Sequence, residues 1–160
     1  MSRTDRWPPK ARALHDTVTE AVVAAADSDP EAYARGTARL AALDPEQVRV
    51  VLGAAVAALL EELYPDGLDG DGLAETLSGC CRAAALWWPA TDPNVLVVLL
   101  SGALGSHDLD EEQPGITPAE MARTAPLLVA DLLRRRGRSL SAYLDAALAE
   151  IARAETVEMP

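Results

Sequence analysis

The residues best suited to chemistry are two histidines, each followed directly by an aspartate. They form His15-Asp16 and His107-Asp108, and Asp131 follows further along the chain. Imidazole nitrogens and carboxylate oxygens bind divalent ions, and a bound ion makes water a nucleophile at neutral pH. One hypothesis is therefore a metal-dependent hydrolase in which His107 and Asp108 are metal ligands, with His15 and Asp131 as possible further members.

This order of side chains resembles the His…His-Asp…Asp ligand set of the all-helical HD-type metal phosphohydrolases. The resemblance implies a helical fold, a divalent metal ion and a hydrolytic activity. It covers little of the chain beyond the two dipeptides, and His107 follows Gly105-Ser106 in a predicted loop. In the family the His-Asp pair lies on an apolar helix, so the alternative is that these are ordinary surface residues.

A second candidate is the acidic part of the connection 105–117, which is the longest between predicted helices. It contains Asp108, Asp110, Glu111 and Glu112. Runs of like charge are usually solvated surface, but they also serve as docking sites for basic partners. Six acidic residues and no basic one also occur in 61–75. Whether the loops 61–75 and 108–112 form one face is left open by the sequence.

A third candidate is the pair Trp87-Trp88, which precedes Pro89 at the end of a predicted helix. Adjacent residues on a helix are about 100° apart, so we expect one indole in the core and the other at its rim. An exposed Trp is suited to binding a partner or to forming the wall of a ligand pocket. The alternative is that both indoles are core packing.

Several familiar catalytic and cofactor motifs do not occur in the sequence. It contains no phosphate-binding Gly-Lys-Ser/Thr loop, no dinucleotide fingerprint and no Gly-x-Ser-x-Gly elbow. The adjacent Cys80 and Cys81 do not have the spacing of zinc or redox sites, and are predicted to be structural thiols in a reducing compartment. No cofactor is therefore expected, and a non-catalytic role is favoured.

Composition and charge narrow the class of protein. The chain has 160 residues, 49% of them hydrophobic, and a net charge of −11. This is enough apolar material for one packed domain, and the charge disfavours binding to nucleic acid or anionic lipid. The first ten residues lack the apolar region of a signal peptide, and the longest apolar run, 95–100, is far shorter than the roughly 20 residues of a membrane span. We expect a cytoplasmic protein without nucleic-acid or membrane partners.

Helix starts are marked by a capping residue followed by proline. This pattern occurs at Asp29-Pro30, Asp44-Pro45, Asp92-Pro93 and Thr117-Pro118. The cap accepts backbone N–H groups of the first turn, where proline loses no hydrogen bond. The Gly-rich stretch 66–72 is predicted to be a turn in which Asp71 caps the next helix. Combined with the apolar spacing, these signals predict helices over 9–26, 30–43, 45–63, 72–88, 93–104, 118–136 and 139–154.

The predicted fold is an all-α, single-domain bundle of about seven helices. The helix 93–104 is apolar all round, which predicts a central position, and the weaker helix 30–43 is predicted to be peripheral. Residues 1–8 are expected to form a flexible arm, 9–154 the domain and 155–160 a frayed tail.

The leading functional prediction is a non-catalytic protein-interaction or regulatory module that binds a protein partner or self-associates, for example as a homodimer. It follows from the wide apolar helix faces and the lack of a catalytic set. One alternative is a helical small-ligand-binding protein with a pocket near Trp87, Trp88 and the helix 93–104. The other is the metal-dependent hydrolase.

Overall fold

The computed structural model describes residues 7–103 and 115–158. Within these ranges the chain forms seven α-helices and no strand, which confirms the predicted all-α class. The helices are α1 (Pro9–Ala26), α2 (Pro30–Ala41), α3 (Pro45–Leu63), α4 (Gly70–Ala85), α5 (Pro93–Ala103), α6 (Pro118–Arg136) and α7 (Leu140–Glu158). None of the described helices combines the length and the apolar character that a membrane crossing requires. The division into arm, domain and tail stays a prediction.

The four capped helix starts lie where the sequence predicts them. The side chains of Asp29, Asp44 and Asp92 each accept a backbone N–H from the first turn of α2, α3 and α5. Thr117 and Glu120 form a reciprocal capping box at the start of α6, with distances of 3.1 Å and 3.0 Å. These starts depend on residues within one turn of one another, so the local sequence specifies them.

The start and end of α4 differ from the prediction. Asp69 is the cap, not Asp71, and its Oδ1 accepts from the backbone N–H of Gly72 at 2.8 Å. Gly72 lies in the first turn of α4 and packs closely there, since a Cβ atom on it would lie 2.7 Å from Leu68 Cδ1. At the other end, α4 stops at Ala85, before the tryptophan pair.

The central helix is α6. The prediction that the apolar helix 93–104, which is α5, occupies the centre was wrong. α6 packs against α1, α2, α3, α4 and α5, whereas α5 packs against α3, α4 and α6. Of the α5 side chains, Val95, Leu96 and Leu100 are buried, but Val97 is 37% exposed. Among the described residues, α5 therefore has one open side, because it has too few neighbours to cover all its faces.

The helix predicted to be peripheral, α2, is firmly packed. Tyr33 and Leu40 are fully buried, and Gly36 faces the backbone of Ala21 in α1. The Tyr33 hydroxyl donates to the carbonyl oxygen of Arg123 in α6 at 2.5 Å. The missing side chain at Gly36, which weakens the helix by itself, is what allows α1 and α2 to approach.

Candidate functional site

An apolar groove lies between α3, α5 and the first half of α6. Its volume is about 660 Å³. Leu52 and Val56 of α3, Leu99 of α5, and Met121 and Ala125 of α6 all line it. We refer to it as the α3–α5–α6 groove. α5 packs against both α3 and α6, and the groove is the space that these three helices leave between them.

Two helical glycines open this groove further. A Cβ atom at Gly53 in α3 or at Gly102 in α5 would meet nothing within 4 Å. Glycine inside a helix costs about 1 kcal/mol relative to alanine. No contact among the described residues accounts for that cost at either position. Val50, which also lines the groove, is 38% exposed, so apolar surface here is open to solvent.

One end of the groove is formed by the starts of α3 and α6. Glu46 pairs with Arg49 there, and Thr117 contributes the cap of α6. Hydrogen bonds from Thr117, first from its backbone N–H, hold the pKa of Glu120 below its ordinary value, and Arg123 acts in the same direction. Glu120 and Arg123 do not line the groove, and its two charged lining residues, Glu46 and Arg49, pair with each other, so the lining is mainly apolar.

The two tryptophans pack as an aromatic cluster with Tyr33. The Tyr33 ring lies 5.2 Å from Trp87 and 4.9 Å from Trp88, both edge to face, a favourable geometry for aromatic pairs. Both indoles are half-buried, whereas Leu86 beside them is 90% exposed. Neither tryptophan lines the α3–α5–α6 groove. The two tryptophans and α5 were predicted to share one pocket, but α5 lines this groove without them, and Trp87 borders a different cavity.

Trp87 lines a second, smaller cavity of about 260 Å³. This cavity lies between the end of α1, the second half of α4 and the middle of α6. Cys80 and Asp131 are also part of its wall. We refer to it as the Asp131 cavity, since it places a buried carboxylate beside an aromatic ring.

The predicted metal ligands are only partly covered by the structure. His107, Asp108, Asp110, Glu111 and Glu112 lie outside the described residues, so neither the metal pair nor the acidic docking segment is tested.

The remaining members of the proposed metal set are separately bonded. His15 Nδ1 lies 3.1 Å from Asp16 Oδ1, while Asp131 bonds Arg134. Within 7–103 and 115–158, no group of three or more His, Cys, Asp or Glu side chains is placed to hold a metal ion.

The acidic stretch 61–75 is partly neutralised by basic neighbours. Glu62 Oε1 accepts from Arg136 Nε at 2.8 Å and from the Tyr143 hydroxyl at 2.9 Å. These bonds lower the pKa of Glu62, and the bond from Tyr143 contributes most. Arg135 bonds the hydroxyls of Tyr64 and Thr76 nearby. This region therefore ties α3, α4, α6 and α7 together, and it is less available to a basic partner than its sequence indicates.

Sequence reasoning did not identify the groove. The only signal in the sequence is the presence of Gly53 and Gly102 inside otherwise continuous apolar helices. Comparison of the chain with protein-family models, with curated proteins and with solved structures gives no match. A function therefore has to be argued from the residues of the sites themselves.

Proposed function

We propose that this protein is a non-catalytic interaction module that binds an amphipathic helix of a partner protein, with basic residues flanking its apolar face, in the α3–α5–α6 groove. The observation that carries the proposal is an open apolar groove of about 660 Å³ bordered by two helical glycines with empty space above them.

The shape of the groove favours a helix as its ligand. Helices dock into apolar grooves through side chains spaced at i, i+3 or i+4, and i+7. Val56, Leu99 and Met121 supply an apolar lining on three sides, and Gly53 and Gly102 leave room for such side chains to approach the backbone. An apolar partner face would gain about 25 cal/mol for each Å² removed from water.

Charge favours basic flanks on that helix. The groove is nearly balanced, but the whole chain carries −11. A field of this sign attracts basic partners at long range and raises their association rate, an effect that salt weakens. Affinity would therefore come from the apolar face of the partner, and selectivity between partners from its flanking charges.

The test uses two labelled leucine-based amphipathic peptides that differ only in lysine or glutamate flanks. Fluorescence anisotropy measures binding to the full chain at low and moderate salt. We expect the lysine-flanked peptide to bind more tightly, with a difference that shrinks as salt rises.

The decisive variants are Gly53→Leu and Gly102→Leu, which place a side chain in the open space. They should weaken peptide binding at least tenfold while leaving the fold intact. Ala146→Leu adds the same side chain at an exposed position of α7 outside the groove and serves as the control. Equal binding by Gly53→Leu and wild type would contradict the proposal.

The same variants reveal whether the groove is already filled. A loss of stability in Gly53→Leu would mean that other residues of the chain, or a second copy, occupy the space. Sedimentation of the wild type over a range of concentrations separates these two cases. Either result would replace the partner helix with an internal or homodimeric contact and would refute the proposal.

A further inference from the structure

The Asp131 cavity lies between two helices that hardly touch each other. α1 and α4 each pack against α6, but they have at most slight contact with one another. Ala26 at the end of α1 and Ser28 just after it line the cavity, and both are exposed. The cavity is therefore open to solvent, with α6 as its base and with α1 and α4 as two opposite walls.

The interior of the cavity is apolar, because the carboxylate in its wall does not present a free oxygen to it. Asp131 Oδ1 accepts from Arg134 Nη2 at 2.6 Å. Its Oδ2 is shielded from water and lies towards Gly79, which does not line the cavity. The apolar lining consists of small and aromatic side chains, among them Ala25, Ala83, Ala84, Trp87 and Leu127. An uncharged apolar group is therefore the favoured occupant.

Each wall carries one large apolar side chain that is exposed to solvent. Leu86, which directly follows α4, is 90% exposed, and Val23 in α1 is 49% exposed. Leu86 lies three residues after Ala83, and Val23 lies three residues before Ala26, so each shares a helix face with a residue that lines the cavity. The lining and these two side chains form one apolar patch, a feature typical of interaction surfaces.

The two walls also carry exposed charges of opposite sign. Asp27 lies four residues after Val23 at the end of α1, and Arg82 lies four residues before Leu86 on α4. Residues at this spacing are neighbours on a helix surface. The α1 wall therefore combines an apolar side chain with an acidic one, and the α4 wall combines an apolar side chain with a basic one.

We propose that the Asp131 cavity is part of a two-fold interface in which a second copy of this chain inserts its Leu86 side chain. A two-fold interface uses the same patch on both copies, so the patch has to complement itself in shape and charge. Here the α1 wall of one copy faces the α4 wall of the other. This arrangement brings Leu86 into a cavity of about 260 Å³ and places Asp27 opposite Arg82, each contact occurring twice.

A second copy accounts for more of this surface than a small ligand does. A ligand inside the cavity would leave Leu86 and Val23 exposed, whereas a second copy covers both. The net charge of −11 makes two copies repel each other at long range, so the association requires enough salt to screen that repulsion. The patch is separate from the α3–α5–α6 groove, and the proposal does not depend on the function proposed for that groove.

The test is sedimentation equilibrium of the full chain at moderate salt, up to about 1 mM, where even weak specific contacts associate. We expect a reversible monomer–dimer equilibrium. Leu86→Ala removes the inserted side chain from an exposed position and should raise the dimer dissociation constant at least tenfold. Val97→Ala shortens an exposed apolar side chain on α5 and is the matched control. It should dimerise as the wild type does, and so should Gly53→Leu.

A charge exchange tests the two-fold pairing of the walls. Asp27→Arg and Arg82→Asp should each weaken the dimer about threefold or more, because each places like charges opposite one another at two positions. The double variant restores opposite charges and should return the dissociation constant towards that of the wild type. Circular dichroism confirms that all the variants are folded.

Three results would overturn the proposal: a wild type that stays monomeric up to the highest concentration, a dimer that Leu86→Ala leaves intact, or a double variant that is no tighter than the single ones. A dimer weakened by Gly53→Leu but not by Leu86→Ala would also overturn it, since the contact would then lie at the groove. Peptide binding in the groove, measured with Leu86→Ala, should remain unchanged.

Discussion

Gly36 of α2 lies so close to Ala21 of α1 that a Cβ atom on residue 36 would stand 3.2 Å from the Cα of Ala21. The two nearest atoms, Cα and N of Ala21, belong to the helix backbone, which cannot move aside as a flexible side chain can. Gly53 is its counterpart, since it is also helical but has nothing within 4 Å of the added carbon.

This contrast predicts opposite effects of the same substitution. Gly36→Leu should lower the free energy of unfolding by about 1–3 kcal/mol, because it forces α1 and α2 apart. Gly53→Leu should raise it by up to about 1 kcal/mol through helix propensity. Urea denaturation measures both values, and a change of the same sign in the two variants would contradict the packing described for them.

The hydroxyl of Tyr33 in α2 donates a hydrogen bond to the carbonyl oxygen of Arg123 in the central helix α6. Arg123 lies three residues before Pro126. Tyr33→Phe removes the hydrogen bond to the Arg123 carbonyl and keeps the ring against both tryptophans. We expect a loss of about 0.5–1.5 kcal/mol, the usual net value of one hydrogen bond. Near-ultraviolet circular dichroism should show the aromatic cluster unchanged. A variant as stable as the wild type would mean that this bond contributes nothing.

Acid stability should depend in part on Glu62. Its pKa is lowered from 4.5, first by the hydrogen bond from Tyr143 and then by Arg136. A carboxyl with a depressed folded-state pKa stabilises the fold above its unfolded value, and this contribution is lost as pH falls through the folded value. Glu62→Gln should therefore have a lower Tm than the wild type at pH 7.

The pH dependence provides the check on that assignment. The Tm difference between Glu62→Gln and wild type should shrink as pH falls below about 4.5. The exposed neighbour Glu61→Gln is the control and should show a smaller difference at pH 7. A difference for Glu62→Gln that stays constant down to acid pH would show that the lost ion pair is not its cause.

The adjacent cysteines should differ in reactivity. Cys80 is buried with a pKa raised to about 12, while Cys81 is half-buried with a smaller rise caused by burial. Only the thiolate reacts, so iodoacetamide at pH 8 should modify Cys81 well before Cys80 in the native protein. The variants Cys80→Ser and Cys81→Ser, followed by intact mass, separate the two rates. Equal rates in the folded state would contradict the burial of Cys80.

Helix starts were largely predictable because capping is local. The Asp-Pro and Thr-Pro pairs at 29, 44, 92 and 117 act on backbone groups within the same turn. The start of α4 was not predictable in the same way, because the stretch 66–72 contains several aspartates that could each cap a helix. In the structure Asp69 is the cap, and Gly72 in the first turn packs closely against Leu68 and Tyr64.

Which helix lies at the centre of the bundle was less predictable. The apolar run 95–100 predicted a central helix, but α6, which contains Thr124, Pro126 and Asp131, has more neighbours and is buried on more sides. Hydropathy measures how much a helix gains from burial. It does not determine how many other helices reach it, because that number depends on the lengths and directions of all the elements.

The sequence by itself therefore determined the all-α class, the number of helices and most of their boundaries, because these follow from capping and periodicity over a few turns. The α3–α5–α6 groove and the Asp131 cavity were decided only by the tertiary structure. Each is a space between three helices, and whether Gly53 faces open space or Asp131 Oδ2 finds a donor depends on atoms that packing alone brings near them.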